Sequence, residues 1–156
     1  MSTRTNKMST LLQKEDALMK LKGIGYWATT IIVVLELLAG GVTDLIHGPA
    51  LLFVGEPVVL VLAQLGYPVY LLTILGGWKL LGAIVLLMPR FPRLKEWAYA
   101  GTFIEMTGAA ASWAARGGGM GDLIWPLAFA VLTLASWALR PPSRILGALF
   151  PARTRA

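Results

Sequence analysis

Apolar positions gather along the chain into four long blocks, at residues 27–45, 69–88, 97–115 and 121–139. Each holds about 20 residues, the length a helix needs to cross ~30 Å of hydrocarbon. Backbone groups surrounded by lipid must be paired within their own segment, so the blocks predict helices. Tyr26, Trp27, Tyr67, Tyr70, Trp97, Tyr99, Trp113, Trp125 and Trp137 fall mostly near block ends, where aromatic rings settle at headgroups. The pattern predicts an all-α polytopic membrane protein built as a four-transmembrane-helix bundle.

Polar residues divide the rest. Residues 1–22 form an arm, expected as either a frayed amphipathic helix or disordered chain. Residues 23–140 form the membrane domain and residues 141–156 a basic tail, whose part from 141 to 150 reads as an interfacial segment. The arm has no cleavage pattern ahead of a short apolar core, so the first helix is expected to act as the membrane signal. Between the first two spans, residues 46–66 are too long for a simple turn and too apolar for a solvated loop, while the ten-residue apolar stretch within them is too short to cross. PVVLVLAQLG within them predicts a short helix, with Pro57 suited to its first position. That helix is expected either to rest at the interface on the bundle or to act as a lid over a pocket.

Composition agrees with a lipid surrounding. The chain is 56% hydrophobic and 14% charged, against about one-quarter charged in soluble domains. The formal charge is +6, but the cations sit beside apolar runs and so report topology rather than nucleic-acid binding. The arm carries five (Arg4, Lys7, Lys14, Lys20, Lys22), the second-to-third connection three (Arg90, Arg93, Lys95) and the tail four (Arg140, Arg144, Arg153, Arg155). That makes twelve, against Arg116 alone in the other two connections. Positive-inside asymmetry then predicts a multi-pass membrane protein with both termini cytoplasmic. Cysteine is absent, which removes thiolate metal sites and thiol redox chemistry. GGGMG at residues 117–121 lacks the GK[ST] ending of a phosphate loop and reads as a turn.

Three charges lie near the centres of the blocks. Glu36, Lys79 and Glu105 each stand at or next to the centre of one span, at depths matched to roughly 3 Å at helical rise. Facing lipid, each would cost about 3 kcal/mol, so they are expected to face inward and pair. Lys79 is expected to be the counter-ion of Glu36, Glu105 or both. With two carboxylates to one ammonium, the excess charge is expected to be held as a proton on one of Glu36 and Glu105. This set is suited to acid/base work or proton movement, and the three are candidate catalytic residues. The alternative is an ion network that only ties the bundle together. Gly40, Gly76, Gly82, Ala83, Gly101, Gly108 and Ala109 flank the charges at helical spacing and predict close helix approach on the same faces.

Asp44 and His47, three residues apart in DLIH, are expected at the aqueous mouth, with Gln64 and Tyr67 joining from the short helix. Thr102, Ser112 and Trp113 complete the candidate ligand-binding set. With a lone His and no Cys, no metal site is expected.

The stretch from residue 65 to 113 carries LGYP, KLLGA, PRFPRLKEWAYAG and an acidic residue in EMTGAA, with GVTDLIHGP before it. In these motifs the chain resembles the DoxX-like family of small bacterial membrane proteins, over roughly residues 26–139. The resemblance implies a four-helix membrane bundle. The family takes its name from a subunit associated with a thiosulfate:quinone oxidoreductase. Where relatives often carry His after the serine of the third helix, this chain has Trp113.

Two classes of function follow. In the first, a lipophilic small molecule such as a quinone or isoprenoid enters between the helices and meets the Glu36/Lys79/Glu105 pocket. No resident cofactor is evident beyond such a bound quinone or other lipophile. In the second, the chain is a non-catalytic accessory subunit that docks a membrane redox partner, or another copy of itself, through its small-residue faces. A proton-coupled exporter is a weaker third.

Overall fold

The computed structural model describes residues 2–49, 56–141 and 144, with side chains described from residue 11 onward. Five helices follow one another: α1 (Ser2–Ile46), α2 (Val58–Leu65), α3 (Tyr70–Leu87), α4 (Pro92–Ala115) and α5 (Met120–Ala138). The four long helices form a closed ring in which α1 packs on α3 and α5, and α4 packs on α3 and α5. The four-helix bundle with a short extra helix after the first span is therefore present. The interfacial reading of residues 141–150 lies, but for Pro141 and Arg144, outside the described residues.

Two elements sharpen the reading of the sequence. The polar arm takes the helical one of its two expected forms, and α1 runs through it without interruption for 45 residues, about 68 Å at helical rise. LLQKEDALMKLK supplies good helix formers without Pro or Gly, so nothing breaks the helix ahead of the span. The third span is also more polar than its neighbours. Among the described residues, three helices are long and apolar enough to cross a membrane, Leu11–Ile46, Tyr70–Leu87 and Met120–Ala138. At 24 residues α4 is long enough, but Thr, Ser, Gly and Glu105 dilute its apolar content. Its place between α3 and α5 keeps it in the same layer.

The helix ends have local causes. α1 stops where His47 turns left-handed (φ 53°), letting the Gly48 amide close on the Thr43 carbonyl at 3.0 Å. α2 begins one residue later than expected, with Pro57 as its cap, and ends at Gly66 in the left-handed region (φ 80°). Glycine enters that region without a Cβ penalty. Arg90 and Phe91 turn left-handed between α3 and α4, and Pro92 then opens α4. Asp122 accepts a hydrogen bond from the Gly119 amide at 2.9 Å at the start of α5.

Large apolar side chains point outward around the ring, among them Trp78, Leu81, Ile84, Trp97, Ile104 and Val131. Such a belt would be an interaction or aggregation surface in water, and lipid is the solvent it suits. Inside, Val33, Val34, Leu37, Ala83, Leu86 and Tyr99 make a core toward one end of the bundle. A polar layer beside it joins Thr30, Ser136 and Tyr99 through hydroxyl contacts of 2.7 and 2.9 Å.

The same end is strongly basic yet internally paired. Lys95 is buried and donates to the Val85 carbonyl at 2.7 Å and to the Leu86 carbonyl, so it caps the last turn of α3. Burial, with Arg144 and Arg140 nearby, lowers its pKa to about 8. Arg140 bridges Glu96 at 2.7 Å and stacks on Tyr99, while Arg144 stacks on Trp27. Burial alone would raise the Glu96 carboxyl, but hydrogen bonds from Arg140 and Trp137 hold it below the usual carboxylate range.

Candidate functional site

The opposite half of the bundle contains a cavity of about 380 Å³ walled by all five helices. Its construction begins on α1, where Glu36, Gly40 and Asp44 recur every four residues and so share one face. Lys79 on α3 enters that face at Gly40. A Cβ added to Gly40 would stand 3.2 Å from both Glu36 Oε1 and Lys79 Nζ. The missing side chain is the space through which the lysine reaches.

One turn along, α1 and α3 come into backbone contact. A Cβ on Gly76 would lie 2.8 Å from the Gly41 carbonyl oxygen and 3.1 Å from Asp44 Cβ. This crossing brings Asp44 within reach of the lysine. Lys79 Nζ donates to Asp44 Oδ2 at 2.9 Å and pairs with Glu105 Oε1 at 3.2 Å. Glu36 is buried against the cavity, and its Oε2 has no hydrogen-bond partner among the described residues. The sequence reading needs one correction here. Asp44 is not a group of the aqueous mouth standing apart from the charges; it is the closest partner of Lys79. The cluster is three carboxylates and one ammonium.

The wall is apolar. Val58, Val61, Leu62 and Leu65 of α2 face the cavity, with Leu72, Leu75, Met106, Pro126 and Phe129 from the long helices. α2 therefore lies over the pocket with its apolar side inward, in the position of a lid. It is tied at both ends. The Val58 amide donates to the Gly48 carbonyl at 3.0 Å, and Arg116 Nε donates to the Leu65 carbonyl at 3.2 Å. Beyond it, the Tyr67 hydroxyl meets Ser112 Oγ at 2.9 Å, and both residues line the cavity beside Trp113.

Of the ten candidate residues, Glu36, Asp44, Tyr67, Lys79, Glu105, Ser112 and Trp113 come together around this one space. His47, Gln64 and Thr102 do not. His47 is exposed in the turn after α1, and Gln64 is on the outer side of α2. Thr102 turns its hydroxyl back onto the Ala98 carbonyl at 2.9 Å, the usual local bond of a helical threonine. Gly101 and Gly108 also depart from the expected close-packing face, because nothing lies within 4 Å of where either Cβ would be. Arg116 was legible only as a lone external cation; its use as a tether needed the fold.

A match to the DoxX-like family spans residues 28–136. The chain belongs to the DoxX-like family. The matched region of this DoxX-like protein holds every charged residue of the cavity, all of α2, α3 and α4, and nearly all of α5. Family membership and the apolar helices together make it an integral membrane protein. Nothing among curated proteins or solved structures matches the chain.

Proposed function

We propose that this protein binds or acts on a lipophilic small molecule of the quinone or isoprenoid kind inside the membrane. The observation that supports this most directly is the placement of the Lys79 cluster in an apolar-walled cavity partly covered by α2. A network needed only to hold helices together would be served by dry packing around the ions, at lower cost than an intramembrane space. Lys79, Glu36 and Glu105 are the groups proposed to hold the polar head or move a proton to it. The basic end of the bundle, with Lys95, Arg140 and Arg144, is the proposed cytoplasmic side of a bacterial inner membrane. The cavity then belongs to the half facing away from the cytoplasm.

A second reading, an accessory subunit of a membrane redox complex, is favoured by one feature. Gly101 on α4 opens onto free space beside the exposed Trp97 and Ile104, as a helix face waiting for another helix would. One experiment separates the two. The protein is purified in mild detergent and its lipid extract analysed by mass spectrometry, for wild type and for Lys79→Met combined with Glu105→Gln. A specific lipophile retained by wild type and lost from a folded double variant supports the pocket. An empty wild type that co-purifies with a larger membrane protein supports the subunit.

A further inference from the structure

Resting on the reading of the cavity as a ligand site, the inference concerns the chemistry of the ligand's head. Three carboxyl groups line the cavity, those of Glu36, Asp44 and Glu105, which bring six oxygens. Lys79 meets two of them, Asp44 Oδ2 and Glu105 Oε1. The Ser112 and Tyr67 hydroxyls on the wall are already committed, which leaves Thr43 as the remaining wall hydroxyl. Ser112 Oγ donates to the Gly108 carbonyl at 2.8 Å and sits 2.9 Å from the Tyr67 hydroxyl. The site is thus rich in acceptors, and its one ammonium is engaged. Glu36 sharpens this: it is nine-tenths buried, it faces the cavity, and Oε2 has no partner among the described residues. Buried polar atoms are rarely left so, and leaving an acceptor unmet is costly in a low dielectric.

We infer that the cavity selects a lipophile whose head donates a hydrogen bond to Glu36, a hydroxyl or a protonated amine on an apolar body. With the shared proton on Glu105, a head that only accepts, such as an ether or the oxidised form of a quinone, would leave Glu36 unmet, so among the proposed ligands the site favours a quinol or an isoprenoid alcohol. The apolar wall contributed by α2, Phe129 and Pro126 takes the body without discriminating among heads.

The test compares farnesol, its methyl ether and farnesylamine, which share one body. Each is titrated into the full-length wild-type protein in detergent, with dissociation constants read by calorimetry. Farnesol, the amine or both should bind at least tenfold more tightly than the ether. An amine tighter than the alcohol assigns the head to the excess carboxylate charge, and the reverse order assigns it to a neutral hydroxyl; both uphold the inference. Equal or tighter binding of the ether overturns it and leaves the pocket itself standing. If none of the three binds, both the inference and the pocket reading fall. Glu36→Gln supplies an amide donor in the same place. In a variant whose melting matches wild type, the gap between alcohol and ether should shrink below threefold. An unchanged gap would remove Glu36 from the recognition.

Discussion

Lys79 on α3 donates its strongest hydrogen bond to Asp44, two helical turns along α1 from Glu36. The lysine stem leans away from the depth of its own Cα, as long cationic side chains do, and Gly40 leaves the gap it leans through. The pairing makes Asp44 the carboxylate on which the ammonium most depends.

Asp44→Asn is accordingly expected to destabilise the bundle more than Glu105→Gln. Asp44 is the nearer partner and the more deeply buried of the two. Removing one member of a buried pair costs about 3 kcal/mol or more, and Glu105 then offers only partial cover. Thermal unfolding in detergent gives the order, and Lys79→Met on top of Asp44→Asn should recover part of the loss. Equal melting of Asp44→Asn and wild type would show that the pair is energetically idle.

Neighbouring glycines of α3 should respond oppositely to alanine. At Gly76 the new Cβ would meet the Gly41 carbonyl at 2.8 Å, an atom fixed in the helix backbone. The helices must separate, at a cost of about 1–3 kcal/mol for overpacking. Gly77 faces open space, so Gly77→Ala should be neutral or stabilising by up to about 1 kcal/mol through helix propensity. Melting temperatures of the two variants decide it; a destabilised Gly77→Ala with a silent Gly76→Ala would contradict the crossing.

Arg116→Ala should loosen the lid while leaving the ring intact. The guanidinium holds the last carbonyl region of α2, and no other described side chain donates to Leu65. Hydrogen exchange should rise across residues 58–66 and stay unchanged in α3 and α5. An effect spread over the whole bundle would mean that Arg116 supports the fold rather than the lid.

Lys95 should give the protein a stability that grows with alkalinity. Its folded pKa is about 8, lowered from 10.5 by burial and by Arg144 and Arg140. Between those values the unfolded chain binds more protons than the folded one, so stability rises with pH across that window. Below about pH 8 the charged lysine is retained in both states and this contribution is lost. Melting curves from pH 7 to 10.5 should show the rise in wild type, and Lys95→Met should flatten it. Parallel curves would show that Lys95 stays charged throughout.

Much of this architecture could be read from residue order because lipid imposes a simple rule: a span must be apolar for about 20 residues, and a charge within it must turn inward. Glu36, Lys79 and Glu105 were legible on that rule alone, as was the short helix over residues 57–66. Asp44 was harder to place. Matching depths by residue count puts it far from Lys79, and only the close crossing at Gly41 and Gly76, together with the reach of a lysine, brings them together. His47 and Thr102 share the polar character of the site residues, but a turn after α1 and a bond to Ala98 claim them first. That α1 continues unbroken through its arm was left open by the sequence, whose good helix formers allowed a helix while its charge allowed a disordered tail.

On the proposed reading of the cavity, the double tether of α2 would restrict how a guest comes and goes. A short rod pinned at its two ends cannot swing open like a door without breaking a pin. The motion left to it is a roll about its own long axis, which strains neither the Val58 nor the Leu65 contact at first order. Such a roll carries Val61 and Leu62 out of the opening and brings Gln64 in from the outer side. The threshold would then alternate between a greasy sill and a polar one, and Gln64 would take part in traffic through the doorway without ever belonging to the closed chamber.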